Sequence, residues 1–103
     1  MDYKIVWTRT AREDLRELTE FISRDKPSAA LKLGNAILAD VDQLQQFPLM
    51  GRVVPERDEP TIREIIHRPC RVVYRVREGR KLVEVLRVWH AARGEPQLPP
   101  AAG

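Results

Sequence analysis

The chain has 103 residues, of which 43% are hydrophobic and 32% are charged; this composition suits one small domain and excludes wholesale disorder. Its single cysteine, Cys70, cannot form an internal disulfide, and no Cys or His pair has zinc-site spacing, so we expect a reducing compartment, no metal and no cofactor. We see no apolar leader and no run of apolar residues long enough to span a bilayer, so we expect a cytoplasmic protein without membrane contact.

The formal charge of +3 is unevenly distributed along the chain. Residues 61–93 hold nine arginines and lysines against three glutamates, a local charge of +6 that leaves −3 for the rest. A basic half favours an anionic partner such as nucleic acid, the ribosome or an acidic protein. The alternative is that strands simply carry arginine on their solvated face.

The N-terminal residues predict a short strand followed by a helix. Residues 3–7 (YKIVW) are β-branched and aromatic, as in a strand. The T-x-x-E pattern of Thr10 and Glu13 predicts a capping box at the start of the first helix, and Pro27 requires that helix to end near Arg24. Apolar residues at helical spacing form its core stripe: Ala11, Leu15, Leu18 and Ile22.

A second helix is predicted to begin at Pro27, because the first helical residue needs no amide donor. It should end before Phe47, and Gly34 within it should allow close packing against the first helix. Two amphipathic helices joined by a short break form an αα-hairpin. The core stripe of this second helix consists of Ala30, Leu33, Ile37, Val41 and Leu44, widened by Leu31 and Leu38.

Prolines and glycines predict a long loop over residues 47–61, followed by strands over 61–67, 70–77 and 81–90. The predicted fold class is therefore α+β, with an N-terminal strand, an αα-hairpin and a three-stranded antiparallel meander. We expect one domain over residues 1–94 and a flexible Pro-rich tail over 95–103.

The predicted strand CRVVYRVR carries an arginine face, formed by Arg71, Arg75 and Arg77. A guanidinium stays charged and can bond two phosphate oxygens at once, so such a face suits phosphate; a plain solvated surface is the alternative. We expect the face to be exposed, so that replacing Arg71 or Arg75 by alanine changes stability by no more than about 0.5 kcal/mol. Alternation should turn Val72, Tyr74 and Val76 towards the helices, and Val73 to the arginine side.

The last predicted strand is apolar on both faces. Such a strand is usually covered on both sides, so in a small domain its second face needs the tail, the long loop or a partner protein. Strict alternation gives one face with Leu86, Val88 and His90, and another with Val83, Val85 and Trp89.

The segment RVWHAARG places an indole, an imidazole and a guanidinium within five residues. His90 is either a core histidine or a group that titrates near neutral pH and moves protons. Gly-rich phosphate loops, HExxH and GxSxG motifs are absent from the sequence. We expect Trp89 to complete the core, and His90 and Arg93 to hold a macromolecule, with Arg93 reaching a phosphate or a carboxylate.

The chain resembles the RelE/ParE superfamily of type II toxins over about residues 3–94. The resemblance rests on IREI (62–65), CRVVYRV (70–76), VEVLRV (83–88) and WHAAR (89–93), in this order; TRTAREDLREL and FPLMGR resemble its ParE side. It implies an αα-hairpin on a mostly antiparallel sheet. It also implies a bacterial cytoplasmic toxin held inactive in a hetero-oligomer by a cognate antitoxin, which we expect to be small, acidic and DNA-binding.

The superfamily divides by mechanism. RelE-like members cut messenger RNA in the ribosomal A site with several basic residues and often a C-terminal tyrosine, whereas ParE-like members poison DNA gyrase. Here both tyrosines, Tyr3 and Tyr74, lie in predicted strands, and alanines follow His90. We therefore expect a ParE-like gyrase inhibitor without catalytic residues. The alternatives are a ribosome-dependent mRNA endonuclease using Arg63, Arg71, His90 and Arg93, or a module that only binds antitoxin.

Two sets of binding residues follow from this interpretation. The predicted target-binding residues are Arg71, Arg75, His90 and Arg93. The predicted antitoxin-binding residues are Leu86, Val88 and Trp89.

Overall fold

Two helices cover one face of a five-stranded sheet in the computed structural model, which describes residues 2–99. The predicted α+β architecture is confirmed. Neither helix in this range is long and apolar enough to cross a membrane. The elements are β1 (Lys4–Trp7), α1 (Arg9–Ser23), α2 (Pro27–Asp42), β2 (Arg52–Val53), β3 (Ile62–His67), β4 (Cys70–Arg77) and β5 (Leu82–His90).

The strands are arranged in the order β1-β5-β4-β3-β2. The predicted antiparallel meander forms β3, β4 and β5, and β1 lies parallel to β5 with Lys4 opposite Leu82. The predicted long loop contains one strand that the sequence did not indicate, the two-residue β2, which pairs with β3. The two edges of the sheet are therefore β1, which adjoins the helical hairpin through α1, and β2.

The N-cap of helix α1 lies two residues before the predicted capping box at Thr10, and that prediction is wrong. Thr8 is the N-cap: its Oγ1 accepts a hydrogen bond from the amide of Ala11 at 3.2 Å. The same hydroxyl donates to the carbonyl of Val85 at 2.8 Å, which ties the start of the helix to β5. This second bond, made across the fold, favours Thr8 over Thr10 as the cap.

The main core lies between the helices and the sheet. It includes Val72, Tyr74 and Val76, whose predicted orientation towards the helices is confirmed. Burial of these apolar side chains is the dominant stabilising contribution to a domain of this size. The other buried members of this cluster are Ala11, Ile37, Val41, Leu44, Cys70, Val83, Val85 and Val88.

A β-bulge interrupts the pairing of β4 with β5. Val73 lies opposite Arg87 and Tyr74 opposite Val85, so Leu86 is an extra residue without a partner on β4. One inserted residue moves every following side chain of its strand to the other face. Relative to Val83 and Val85, the faces predicted from strict alternation are therefore wrong beyond Leu86.

The bulge separates residues that were expected to lie together. Val88 packs in the helix-side core, whereas Leu86 lies in a second cluster on the outer face of the sheet, away from the helices. Trp89 lies opposite Arg71 and so shares the outer face, not the face of Val83 and Val85.

The outer face of the sheet is covered by the chain itself. Its apolar cluster includes Val54 from the long loop and Leu98 from the tail. Arg87 Nη1 donates to the carbonyl of Gln97 at 3.1 Å, which fixes the tail further. Leu98 thus packs on the sheet, whereas Glu95, Gln97 and Pro99 are exposed; the flexible tail over residues 95–103 stays a prediction, and its residues 100–103 lie outside the described range. The remaining members of the cluster are Ile62, Val73 and Leu86.

Two glycines give a matched test of this packing. A Cβ added at Gly34, inside α2, meets only Thr19 Cγ2, at 3.4 Å, so Gly34→Ala should stabilise the protein by about 0.5–1 kcal/mol through helix propensity. A Cβ at Gly51 would lie 2.6 Å from both Glu64 O and Tyr74 Oη, so Gly51→Ala should destabilise it by about 1–3 kcal/mol. Urea unfolding of both variants measures the two effects; equal midpoints would contradict the packing described.

Candidate functional site

The four residues of the predicted ribonuclease set are divided between the two faces of the sheet. Directly opposed residues of an antiparallel pair share a face. Arg63 lies opposite Tyr74, and His90 lies opposite Cys70, so both are on the helix side. Arg71 lies on the outer face. The structure therefore does not bring the set together around one point.

Arg71 is enclosed by carboxylates. Its Nε donates to Glu64 Oε1 at 2.6 Å, and its Nη1 and Nη2 donate to the two oxygens of Glu56 at 3.0 and 2.7 Å. Glu64 is fully buried and accepts a further bond from Arg52 Nε at 2.6 Å. The hydrogen bond to Glu56, and then those to Glu64, raise the pKa of Arg71, and the hydrogen bond from Arg71 lowers the pKa of Glu56.

The other two arginines of this face, Arg75 and Arg77, are also not freely exposed to solvent. Arg75 is buried, and within residues 2–99 its Nη2 has no hydrogen-bond partner. Arg77 forms an ion pair with Glu84 of β5. The expectation of an exposed arginine face is wrong: Arg75 is buried, and acidic side chains from β3, β5 and the long loop come to the same side of the sheet and pair with Arg71 and Arg77.

Arg63 has a structural role in the loop before β2. Its guanidinium donates to the carbonyls of Leu49, Gly51 and Pro60 at 3.2, 2.9 and 3.0 Å. Tyr74 Oη accepts a hydrogen bond from the amide of Gly51 at 2.9 Å, and burial raises the pKa of this phenol. Neither side chain is left to act on a substrate.

Trp89 completes the core on the outer side of the sheet and supports two arginines. It is buried, and its Nε1 donates to the carbonyl of Gly94 at 3.0 Å. The guanidinium carbons of Arg93 and Arg87 lie 4.0 and 4.8 Å from the centre of its ring. Such cation–π contacts fix the position of Arg93 at the end of β5.

His90 and Arg93, two of the predicted target-binding residues, line one cavity of about 230 Å³ between β5 and α1. His90 Nδ1 accepts a hydrogen bond from the amide of Ala92 at 3.0 Å, so the neutral ring carries its proton on Nε2. The other two predicted target-binding residues, Arg71 and Arg75, lie on the outer face and contribute nothing to this cavity. Within residues 2–99, no three side chains converge as metal ligands.

The three predicted antitoxin-binding residues, Leu86, Val88 and Trp89, are buried within the chain. The uncovered apolar face that motivated the prediction does not exist, because the long loop and the tail cover it. Almost none of their surface is accessible, so these side chains pack the domain and leave little surface for a partner to contact.

A groove of about 960 Å³ between β1, α1 and α2 presents accessible apolar surface, which sequence reasoning missed. Leu31 and Leu38 are 67% and 48% exposed there, and Val6 of the edge strand β1 lies beside them. The prediction that Leu31 and Leu38 widen the core stripe of α2 is therefore wrong; they stand seven residues apart, or two helical turns, and their spacing marks a second apolar face of the helix.

Solved structures share this architecture. The toxin of the chromosomal ParDE toxin–antitoxin system from Pseudomonas aeruginosa matches with a TM-score of 0.70 and 28% identity, covering 85% of this chain and 95% of that one. The RelBE2 toxin–antitoxin complex from Mycobacterium tuberculosis matches with a TM-score of 0.64 and 26% identity, covering 87% of this chain and 99% of that one. An Escherichia coli RelE mutant in the free state matches with a TM-score of 0.63, covering 91% of this chain and 88% of that one. At 18% identity, this likeness shows the fold alone. The fold is that of RelE- and ParE-type toxins.

The sequence comparisons define the family. Residues 5–94 match the model of the ParE toxin of the type II toxin–antitoxin system parDE. The chain is 33% identical over 91 residues to Toxin RelE2 of Caulobacter vibrioides, covering 87% of this chain and 97% of that relative. It is 35% identical over 97 residues to the putative toxin Y4kP of Sinorhizobium fredii, covering 92% of this chain and 95% of that relative. The chain therefore belongs to the ParE toxin family of type II toxin–antitoxin systems.

Because Arg71 pairs with the buried carboxylate of Glu64, its replacement by alanine should cost more stability than the loss of an exposed arginine. Arg71→Ala leaves Glu64 with one partner and should destabilise the protein by about 3 kcal/mol. Arg52→Ala, which removes the exposed partner of the same carboxylate, should cost about 1 kcal/mol or less. Urea unfolding compares the two variants, and equal small losses would show that Glu64 does not depend on Arg71.

Proposed function

We propose that this chain is a cytoplasmic, gyrase-inhibiting toxin of the ParE type, neutralised by a cognate antitoxin in a hetero-oligomer. The observation that carries the proposal is the separation of its basic residues over two faces of the sheet, with Arg71 held between two carboxylates. Family relatives bear both ParE and RelE names, so the choice of target rests on this geometry.

Ribonuclease chemistry is poorly supported by these residues. Cleavage through a 2′-oxygen needs a base, an acid and donors for the phosphate at one point. Arg63 is used by three loop carbonyls, and Arg71 is neutralised by Glu56 and Glu64. A buried carboxylate next to the only outer-face arginine of the set repels an RNA phosphate. Two carboxylates line the cavity with His90: Asp14 is already held by Arg87 and the amide of Val88, and Glu17 is exposed at the rim, where its charge repels an RNA phosphate.

The antitoxin would bind the groove of β1, α1 and α2. Exposed Leu31 and Leu38 suit the apolar side of an amphipathic segment, and the free edge of β1 can pair with an added strand. The net charge of +3 favours an acidic partner. The two solved neighbours from Pseudomonas aeruginosa and Mycobacterium tuberculosis are components of toxin–antitoxin systems, which supports a partner of this kind.

Induced expression distinguishes the possible targets. We expect the wild-type chain to induce the DNA-damage response and to trap gyrase cleavage complexes on plasmid DNA with purified gyrase. Translation arrest with messenger RNA cut at ribosomal A-site codons, abolished by His90→Ala, would overturn the proposal in favour of the endonuclease. Absence of any toxicity, with antitoxin binding intact, would favour a module that only binds antitoxin.

Groove variants test the antitoxin site. Leu31→Gln and Leu38→Gln remove exposed apolar surface, so each should weaken antitoxin binding about tenfold while stability stays within about 0.5 kcal/mol. Phe47→Gln is the matched control, because Phe47 is equally exposed but lies outside the groove. Isothermal titration calorimetry measures the three affinities. An equal loss with Phe47→Gln, or none with the leucine variants, would place the antitoxin elsewhere.

A further inference from the structure

The cavity between β5 and α1 presents two preorganised hydrogen-bond donors. The amide of Ala92 holds the imidazole of His90 through Nδ1, so the neutral ring offers its Nε2–H as a donor, and no residue among 2–99 accepts a bond from it. The ring of Trp89 holds the guanidinium of Arg93, which forms no ion pair within the same residues. Both side chains line the cavity, so their donors are available to one ligand.

Asp14, which lines the cavity, already accepts hydrogen bonds from β5. Both oxygens of Asp14 accept bonds from Arg87, at 2.8 and 2.9 Å, and Oδ2 also accepts from the amide of Val88 at 3.0 Å. Glu17 is the one remaining carboxylate on the lining, and it is exposed. The donors of His90 and Arg93 therefore exceed the acceptors that the cavity supplies to them.

The other walls of the cavity are apolar. Leu18 and Val88 line its inner side, and Phe21, which is 68% exposed, stands at its rim. A volume of about 230 Å³ is enough for one side chain and too small for a nucleotide. Apolar walls with an exposed aromatic ring suit a peptide segment, and Glu17 at the rim repels a phosphodiester chain.

The cavity and the antitoxin groove lie on opposite sides of α1. Successive helix residues turn by about 100°, so the cavity residues Asp14, Glu17, Leu18 and Phe21 project roughly half a turn away from the groove residues Arg12, Arg16, Thr19 and Glu20. A segment bound in the groove leaves the cavity accessible. The two surfaces can therefore bind two different partners.

We propose that this cavity binds an aspartate or glutamate side chain of the toxin's target protein, with the carboxylate on His90 Nε2–H and Arg93 and the flanking apolar residues on Phe21. A carboxylate matches two donors that line one cavity, one of them charged, and its binding requires no proton transfer. This inference rests on the proposed function for the identity of the target. It adds that the target is recognised through a carboxylate, at a site separate from the antitoxin groove.

Binding of purified gyrase and of purified antitoxin to the same variants tests the inference. Asparagine at position 90 can still accept the Ala92 amide through Oδ1, but its Nδ2–H donors lie where the imidazole has Cδ2 and do not extend to the position of Nε2–H. His90→Asn and Arg93→Ala should each weaken gyrase binding about tenfold or more, with antitoxin affinity changed less than about twofold. Glu17→Gln, which removes the repelling charge, should tighten gyrase binding. Arg80→Ala removes an exposed arginine elsewhere and should change neither.

Unchanged gyrase affinity in His90→Asn and Arg93→Ala would overturn the inference and leave the proposed function intact. An equal loss of antitoxin affinity would also overturn it, because the cavity would then belong to the antitoxin site. Binding of an RNA oligonucleotide that is lost in Arg93→Ala would assign the cavity to nucleic acid instead.

A titration with small probes tests the cavity even if gyrase does not bind the wild-type chain. N-acetylglutamate methylamide should produce saturable shifts of the nitrogen resonances of His90 Nε2 and Arg93 Nε, whereas N-acetylglutamine methylamide should not. Equal shifts with both probes, or none, would show that the cavity does not select a carboxylate.

Discussion

The bulge at Leu86 determines which surfaces this small domain presents. Before it, Val83 and Val85 of β5 face the helices; after it, Val88 and His90 do so, and Trp89 turns to the outer face. One inserted residue therefore gives β5 an apolar contact on both sides without exposing either. The same change of face puts the imidazole of His90 beside α1, and it places the indole under Arg93. The cavity at the end of β5 depends on this change.

Three of the nine arginines and lysines of residues 61–93 form ion pairs within the described part of the fold: Arg71, Arg77 and Arg87. Arg71 is paired with Glu56 and Glu64, and Arg87 is paired with Asp14 across 73 residues of sequence. A buried charge without its partner costs several kcal/mol, so these arginines are bound to the structure before any ligand arrives. Arg93 differs, because an aromatic ring positions it and leaves its charge uncompensated within the described residues.

Sequence patterns predicted the elements and failed where a single residue or a distant partner decided the outcome. Helical spacing identified α1 and α2, and alternation identified the three strands of the meander. The two-residue β2 is too short to show any period, and neither glycine nor proline marks the bulge at Leu86. The acids that neutralise Arg71 are 7 and 15 residues away and become its neighbours only when the sheet forms. His90 and Arg93 were singled out correctly as neighbours, but the helix that completes their cavity was not.

Helix α1 separates the two proposed recognition surfaces, one for the antitoxin and one for the target. Site-specific photo-crosslinking in cells distinguishes them, with p-benzoylphenylalanine replacing Phe21 at the rim of the cavity or Leu31 in the groove, both of which are exposed. We expect position 21 to crosslink to a gyrase subunit and position 31 to the antitoxin. Crosslinking of position 21 to ribosomal RNA or messenger RNA, or of both positions to the antitoxin, would contradict it.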